Sequence, residues 1–194
     1  MRLYHGTNAD FKPSEFKLYP RCYDEGVGVY FTPDLPTAET YGAFIFEIDL
    51  PKQERQLSSH YKTITMEEFE TLVLALQDTH DYLTNWGDPS YTPLGKLVND
   101  AIDAEYVDAE SDAEILTSLG TACGDTAEVA KIASKLFNAP VMLSTGDQNK
   151  FKKDLYIFLD TDYLNVLPQF RFEKKPQDMS YMEYLEGLYK RAKK

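Results

Sequence analysis

Residues 26–42 read GVGVYFTPDLPTAETYG, and they decide the fold. The β-branched and aromatic run that stops at Pro33 predicts a short strand. The segment that follows predicts a short helix, which Pro36 starts at its first turn. Because the Gly-x-Gly leads into a strand, and not from a strand into a helix, it is not the phosphate loop of a dinucleotide-binding fold. The stretch therefore indicates a strand–helix unit that carries two tyrosines, Tyr30 and Tyr41.

A second short stretch, MRLYHGTNAD at residues 1–10, predicts a strand that carries His5 and Gly6 near its end. The histidine can offer its imidazole there, and the glycine lets the backbone approach a flat ligand closely. Tyr30 and Tyr41 can hold a planar ring between them, and their faces favour a ring with positive charge. Together these residue types suit a nicotinamide ring and its ribose. The alternative is a structural histidine with two tyrosines that do not meet.

The chain has 194 residues and a formal net charge of −12, and these two numbers bound its class. This length is most simply one domain, residues 1–194, with a core of its own. The negative charge repels phosphate backbones and anionic lipids, so we expect neither nucleic acid nor membrane as a partner. The two cysteines, Cys22 and Cys123, have no metal-ligand spacing, so we expect no metal and a reducing compartment. Because no signal peptide or long apolar run is evident, we expect a cytoplasmic protein.

Strand patterns in the two terminal parts of the chain enclose a block of helical patterns. Residues 1–50 predict three strands, and residues 66–137 predict four helices. Thr65 and Glu68 have the spacing of a capping box at the first of these helices. This order predicts an α+β fold in which the terminal zones share a sheet system. The segments predicted as late strands are 139–145, 154–160 and 163–172, and a helical tail follows them.

The two stretches together resemble the ADP-ribosyltransferase fold, in its diphtheria-toxin and poly-ADP-ribose-polymerase branch. That branch has a His-Gly-Ser/Thr strand, then Gly-x-Gly-x-Tyr-Phe, then a helix that carries a second tyrosine. The resemblance covers residues 3–42 and, more loosely, the C-terminal strands. It implies a split β-sheet core around an NAD cleft. Residues 66–137 have no part in the resemblance, and from the order of the elements we expect them to form a helical insertion or cap. The matching positions are His5, Gly6, Thr7, Gly26, Gly28, Tyr30, Phe31, Ala38 and Tyr41.

The resemblance also implies a role for each matching residue, with NAD as a substrate. His5 would bind the 2′-hydroxyl of the adenosine-side ribose. The Gly6 backbone would pair with the nicotinamide carboxamide, and Thr7 would support that contact. Tyr30 and Tyr41 would stack on the nicotinamide, and cleavage would pass through an oxocarbenium-like state. The NAD-binding set implied in this way is His5, Gly6, Thr7, Gly28, Tyr30, Ala38 and Tyr41, and the catalytic set includes His5 and Tyr30.

The third catalytic position is where the chain departs from the family, which places a glutamate at the head of a late strand. If Asp160 matches the family's strand-end aspartate, Leu155 occupies the glutamate position and Asp154 lies one residue early. Side chains alternate along a strand, so Asp154 reaches the cleft only through a bulge. Asp147, in the loop before the strand, is a second acid that could enter the cleft. We predict Asp154 as the catalytic acid, while Leu155 would mean either an acid supplied by the substrate or a silent site.

The function that the resemblance implies is an NAD-dependent mono-ADP-ribosyltransferase that modifies a macromolecule, first of all a protein. Small members of this branch occur as toxins and phage effectors, so we expect a bacterial or phage-infected cytosol and an inhibitor or antitoxin as a partner. One alternative is an RNA 2′-phosphotransferase, against which Tyr30 and the net charge of −12 both speak. Another is a catalytically silent NAD-binding module that acts through its acidic helical block. For the enzyme, we expect residues 66–137 to select the target and their deletion to spare NAD binding.

Overall fold

The computed structural model describes residues 1–18, 25–79 and 103–173. Seven strands in these ranges form two open sheets, and six helices accompany them. The mixed content, with four helices grouped between the fourth and fifth strands, agrees with the predicted α+β class. The strands are β1 (Arg2–Thr7), β2 (Val29–Phe31), β3 (Phe44–Asp49), β4 (Leu57–Ser58), β5 (Val141–Ser144), β6 (Leu155–Phe158) and β7 (Gln169–Glu173). The helices are α1 (Leu35–Glu39), α2 (Met66–Thr79), α3 (Asp103–Asp108), α4 (Asp112–Cys123), α5 (Thr126–Leu136) and α6 (Thr161–Val166).

The first sheet has the strand order β1-β3-β7, and the second has the order β2-β6-β5-β4. Neighbouring strands are antiparallel, apart from the parallel pair of β4 with β5. Within the described ranges the two sheets are joined by one isolated bridge between Tyr4 and Thr32. The Tyr4 N–H donates to the Thr32 carbonyl over 2.8 Å, and the Thr32 N–H donates to the Tyr4 carbonyl over 2.9 Å. The next residues of β1, His5 and Gly6, therefore lie beside the second sheet without continuing this ladder.

The two sheets also share a hydrophobic core. Apolar side chains of β1 and β3, such as Leu3 and Phe46, pack in one cluster with Phe31 and Phe158 of the second sheet. Phe16, from the loop after β1, fills the space between them, and its ring lies 4.9 Å from that of Phe46. The rings of Phe16 and Phe31 in this cluster contact His5 in β1. Buried aromatic rings contribute large apolar areas to packing, so the cluster stabilises this end of the strand.

The short helix α1 has a clear cause at each end. Asp34 caps its N-terminus, where its side chain accepts the Thr37 N–H over 3.0 Å, and Pro36 lies in the first turn. The helix ends at Thr40, and only Ala38 is fully buried among its residues. The prediction of a helix started by Pro36 is therefore confirmed. The capping residue directs α1 so that Ala38 packs on β1.

Helices α2, α4 and α5 share one hydrophobic core with the second sheet. Buried side chains on these helices, including Leu72, Leu116 and Val129, lie in the same cluster as Met142 of β5 and Ile157 of β6. Removal of residues 66–137 would therefore expose one face of the sheet to water. The shared core argues against the expectation that this block can be deleted without loss of NAD binding, because the same sheet supplies β2 and β6 to the core, and that expectation stays a prediction.

Asp112, the first residue of α4, ties the helical block to the segment after β4. Its side chain is completely buried and accepts backbone hydrogen bonds from Ser58 (2.8 Å), Thr63 (2.7 Å) and Ile64 (2.9 Å). The Thr63 hydroxyl donates a further bond to it. A buried carboxylate is stable only when such donors satisfy it, so this array fixes the position of α4 relative to β4.

The predicted capping box at the start of α2 is confirmed. The Thr65 N–H donates to Glu68 over 2.9 Å, and the Glu68 N–H donates to the Thr65 hydroxyl over 3.3 Å. Arg55 forms a bidentate ion pair with the same Glu68 carboxylate, and hydrogen bonds from its guanidinium lower the pKa of Glu68 to about 2.

The structure differs from the sequence prediction in the last strand and adds one short strand. Residues 163–172 were expected to form one strand, but their first part belongs to α6, and β7 begins only at Gln169. The cause is Asp160, whose side chain caps α6 by accepting the Asp162 N–H over 2.8 Å. Strand β4 has two residues, too few for a hydrophobic pattern. Cys22, most of the second predicted helix and the predicted tail helix lie outside the described residues.

No helix in the described ranges combines the length and the apolar character that a membrane span requires.

Candidate active site

A cavity of about 280 Å³ lies where β1, β2 and α1 meet. This volume is close to the lower end of small-molecule sites, so it suits one ring with part of a sugar and not a whole dinucleotide. The wall brings together five residues predicted from the sequence, His5, Gly6, Tyr30, Ala38 and Tyr41. Residues of the two sequence stretches therefore line one cavity. The wall is completed by Tyr4, Glu25, Phe31, Thr32, Thr37, Phe151 and Leu155.

His5 reaches across the split between the two sheets. Its Nδ1 atom lies 2.7 Å from the carbonyl oxygen of Tyr30, and its ring packs against the rings of Phe16 and Phe31 with centroids 5.3 Å away. Because a carbonyl oxygen only accepts, Nδ1 carries a proton, and Nε2 of the neutral ring is an acceptor. Burial lowers the pKa of His5 below its usual 6.5, which favours this neutral ring. An acceptor of this kind can receive a hydrogen bond from a sugar hydroxyl.

Gly6 brings bare backbone to the cavity wall. A Cβ atom at this position would lie 1.8 Å from the carbonyl oxygen of Ala38, so α1 can approach β1 this closely only over a glycine. The N–H and C=O of Tyr4 bond to Thr32 and not to β3. In an antiparallel ladder the backbone N–H and C=O of successive residues point to opposite sides of the strand. The N–H and C=O of Gly6 therefore point to the same side as those of Tyr4. They present a donor and an acceptor at the edge of the cavity, which is what a carboxamide pairs with.

The two tyrosines occupy different parts of the cavity wall. Tyr30 is half-buried in β2, and its hydroxyl donates to the carbonyl of Gly26. Tyr41 follows α1, is 49 % exposed, and its N–H donates to the Ala38 carbonyl over 3.1 Å. Its ring lies at a steep angle to that of Phe151, with centroids 6.2 Å apart. The cavity therefore has an aromatic inner wall and an aromatic mouth.

Two residues of the predicted NAD-binding set do not line the cavity. The Thr7 hydroxyl accepts the Ala9 N–H over 3.1 Å and so shapes the turn after β1. Gly28 packs against β6, where a Cβ atom would lie 2.3 Å from a methyl group of Ile157 and 2.8 Å from the Phe158 carbonyl oxygen. Gly28 therefore allows β2 to pack closely on β6, and Thr7 stabilises a turn. Neither residue is part of the cavity wall.

At the position where the resemblance implies a catalytic acid, the cavity wall has an apolar residue. Asp154 is exposed and accepts the Gly146 N–H over 2.9 Å, in a surface depression outside the cavity. Leu155 is buried and lines the cavity. Because β6 begins at Leu155 without a bulge, alternation turns Asp154 to the other side, and the prediction of Asp154 as the cavity acid is wrong. Asp147 is also exposed and outside the wall.

The carboxyl group that does line the cavity belongs to Glu25, which the sequence interpretation missed. Glu25 is 8 % exposed, and its Oε2 atom accepts a hydrogen bond from the Ser144 hydroxyl over 2.8 Å. Ser144 pairs directly with Leu155 in the β5–β6 ladder, so the Glu25 carboxylate lies next to the position where an acid was expected. A single glutamate before a Gly-x-Gly carries no local signal, since its partner is more than a hundred residues away.

Comparisons of the chain with protein-family models, with curated proteins and with solved structures find no match.

The cavity combines four chemical features. It has an acceptor nitrogen in His5, a backbone edge at Gly6 that faces away from β3, aromatic surfaces at Tyr30 and Tyr41, and a carboxylate in Glu25. Aromatic faces and a carboxylate both attract positive charge in a partly enclosed site. The arrangement therefore suits a flat, cationic ring with an attached sugar.

Proposed function

We propose that the protein is an NAD-dependent mono-ADP-ribosyltransferase that modifies a macromolecular target, most simply a protein. One observation supports this more than any other: His5, Gly6, Tyr30 and Tyr41, which come from two separate sequence motifs, line a single cavity of about 280 Å³. In this proposal the cavity holds the nicotinamide half of NAD, and the rest of the dinucleotide extends along the surface.

Each wall residue has a part in holding NAD. The Gly6 backbone edge pairs with the carboxamide, because its N–H and C=O match the carboxamide acceptor and donor. Tyr30 and Tyr41 contact the ring, and aromatic contacts of this kind favour the cationic nicotinamide of NAD over the neutral product. The Nε2 atom of His5 accepts a hydrogen bond from the 2′-hydroxyl of the adenosine-side ribose. These contacts fix the two halves of NAD relative to each other.

Catalysis then consists of positioning and of stabilising positive charge. The bond between the ribose C1′ and the nicotinamide nitrogen breaks, and nicotinamide leaves with the electron pair. The ribose carries the positive charge until a nucleophile of the target forms a bond to C1′ and releases its proton to water. Fixing both partners in one geometry lowers the barrier by several kcal/mol, on the order of 7–11 at best.

A second candidate is a silent NAD-binding module. The observation that favours it is Leu155, an apolar residue at the position where the resemblance implies an acid. Such a module would bind NAD through the same wall and act on a partner through its helical block. A role as a toxin or phage effector stays a prediction from the resemblance.

The test uses purified protein, NAD labelled in its adenylate part, and a bacterial lysate as the source of targets. Wild type should release nicotinamide and transfer label to macromolecules, and His5→Ala and Tyr41→Ala should lose most of both activities. Tyr61→Ala is the matched control, because Tyr61 is an exposed tyrosine outside the cavity wall. Binding of NAD without release or transfer would favour the silent module, and absence of binding would contradict both functions.

A further inference from the structure

Glu25 is held in the cavity wall by a cluster of polar side chains from β5, the following loop and the segment after β4. The Ser144 hydroxyl donates to Glu25 Oε2 over 2.8 Å and accepts from the Asn149 side-chain amide over 2.9 Å. The His60 Nε2 atom lies 3.1 Å from the Ser144 hydroxyl and 3.5 Å from Glu25 Oε2. Ser144 and Asn149 are both almost completely buried, so this cluster fixes the Glu25 carboxylate in one orientation.

The second carboxylate oxygen of Glu25 is different. In the described part of the chain Oε1 has no hydrogen-bond partner. This oxygen is not enclosed by the protein, so it is accessible to a ligand. Of the described residues that line the cavity, Glu25 alone has a carboxyl group. Glu25 is therefore an almost fully buried acid that lines the cavity, with one oxygen held by the protein and the other accessible and able to contact a ligand without breaking a hydrogen bond within the protein.

We propose that Glu25 is the catalytic carboxylate of this site, and that Ser144, Asn149 and His60 are its positioning residues. This inference rests on the proposed function. The Oε1 atom of Glu25 faces the ribose of the nicotinamide half of NAD and stabilises the positive charge that develops there. Leu155 is compatible with this role of Glu25. It pairs with Ser144 on the neighbouring strand, and its apolar side chain has no charge that could interact with the ribose.

The reaction needs no group other than NAD, Glu25 and the nucleophile. When the bond between C1′ and the nicotinamide nitrogen breaks, the electron pair leaves with nicotinamide, and the positive charge passes to C1′ and the ring oxygen of the ribose. The Glu25 carboxylate lies opposite this charge and takes no part in covalent bonding. Water, or a nucleophile of the target, then forms a bond to C1′ and loses its proton to the solvent. A fixed carboxylate stabilises this charge more than water does, because it needs no reorientation.

The first experiment compares NAD hydrolysis and label transfer by wild type, Glu25→Gln and Asp154→Asn. Glutamine keeps the shape and an oxygen that can accept the Ser144 hydroxyl, so Glu25→Gln should fold, with a melting temperature close to that of wild type. We expect its kcat to fall by about 10²-fold, the usual effect of losing one electrostatic group at a reacting centre, and its KM to rise by up to about tenfold, because NAD carries a cationic ring. Glu54→Gln is the matched control, because Glu54 is exposed and lies outside this cavity.

Ser144→Ala tests the positioning role separately. It keeps the carboxylate and removes the hydrogen bond that orients it, so kcat should fall about tenfold while KM changes by less than twofold. A purely structural serine would instead lower the melting temperature and leave kcat of the folded fraction unchanged.

A binding measurement tests the charge of the site without turnover. The probes are 1-methylnicotinamide, which is a cation, and nicotinamide, which has the same ring without the charge. Glu25→Gln should weaken binding of the cation about tenfold and change binding of nicotinamide by less than twofold, because only the cation interacts with the carboxylate as a charge.

The outcomes separate the two proposals. Wild-type turnover that persists in Glu25→Gln, or is lost in Asp154→Asn alone, would overturn the role of Glu25 and leave the proposed transferase standing. Equal loss of affinity for both probes would also overturn it. No turnover by wild type with NAD and lysate would overturn the transferase, and the catalytic role of Glu25 with it.

Discussion

The Nδ1 atom of His5 and the carbonyl oxygen of Tyr30 are 2.7 Å apart, and this contact joins a strand of the first sheet to a strand of the second. Because the partner of the imidazole is a backbone atom, the ring has its orientation before any ligand binds. The same contact assigns the proton to Nδ1 and leaves Nε2 as an acceptor. The site is thus preorganised at the point where the two sheets separate.

The pKa of His5 gives stability a pH dependence that can be measured. Burial lowers the pKa of the His5 imidazole in the folded protein below 6.5, its usual value in an unfolded chain. At a pH between these two pKa values, the unfolded chain binds more protons than the folded protein does. The free energy of unfolding should therefore fall as the pH drops below about 6.5. Urea unfolding of wild type and His5→Gln between pH 8 and 5 measures it. The difference between the two should shrink toward low pH, and a difference that is constant with pH would contradict the argument.

Gly6→Ala should damage both stability and binding. The new Cβ atom would meet the Ala38 carbonyl oxygen at 1.8 Å, so α1 has to move away from β1 and the cavity changes shape. We expect a loss of about 1–3 kcal/mol in the free energy of unfolding and at least a tenfold weaker binding of NAD. Gly124→Ala is the control. It strains the backbone at a φ of +72° but meets no atom within 4 Å, so it should lower stability without an effect on NAD binding.

Tyr41 should contribute to binding through its ring and not through its hydroxyl. Tyr41→Phe keeps the aromatic surface at the mouth of the cavity, so the affinity for nicotinamide should change by less than twofold. Tyr41→Ala removes a ring contact worth roughly 1 kcal/mol, which corresponds to about a fivefold weaker affinity. Isothermal titration with nicotinamide measures both. A loss of affinity in Tyr41→Phe as large as in Tyr41→Ala would show that the hydroxyl binds the ligand.

Asp112 should be among the most important side chains for stability. Its removal leaves the backbone donors of Ser58, Thr63 and Ile64 without an acceptor in a buried region. We expect Asp112→Ala to lower the free energy of unfolding by about 3 kcal/mol, because unsatisfied buried donors are costly. Denaturant unfolding measures this, with Asp108→Ala as a control at an exposed position of the preceding helix. Similar losses in the two variants would contradict this reading of the Asp112 array.

The features that could be predicted from the sequence are the local ones. The capping box joins Thr65 to Glu68, three positions away, and Pro36 acts on the first turn of its own helix, so the sequence shows both signals directly. The pairing of His5 with Tyr30 was predicted only as a shared site, and the structure adds the contact itself.

The parts that could not be predicted depend on partners distant in the chain. Residues 163–166 have the apolar content of a strand, but a cap at Asp160 makes them helical. Glu25 becomes the cavity acid because Ser144 binds it across 119 positions of sequence. Alternation alone does indicate that Asp154 and Leu155 face opposite sides, and the structure shows that no bulge reverses this.

The order of the cavity wall along the chain has a consequence for synthesis. His5, Tyr30 and Tyr41 leave the ribosome early, whereas Phe151 and Leu155 follow only after the whole helical block. At translation rates of about 5–20 residues per second, this delay is on the order of ten seconds. During that time the nascent chain has an aromatic strand–helix unit without the opposite wall. Under the proposed function, a ribosome-bound fragment that ends before Phe151 should therefore be inert toward NAD, and any activity should begin only after Leu155 has been translated.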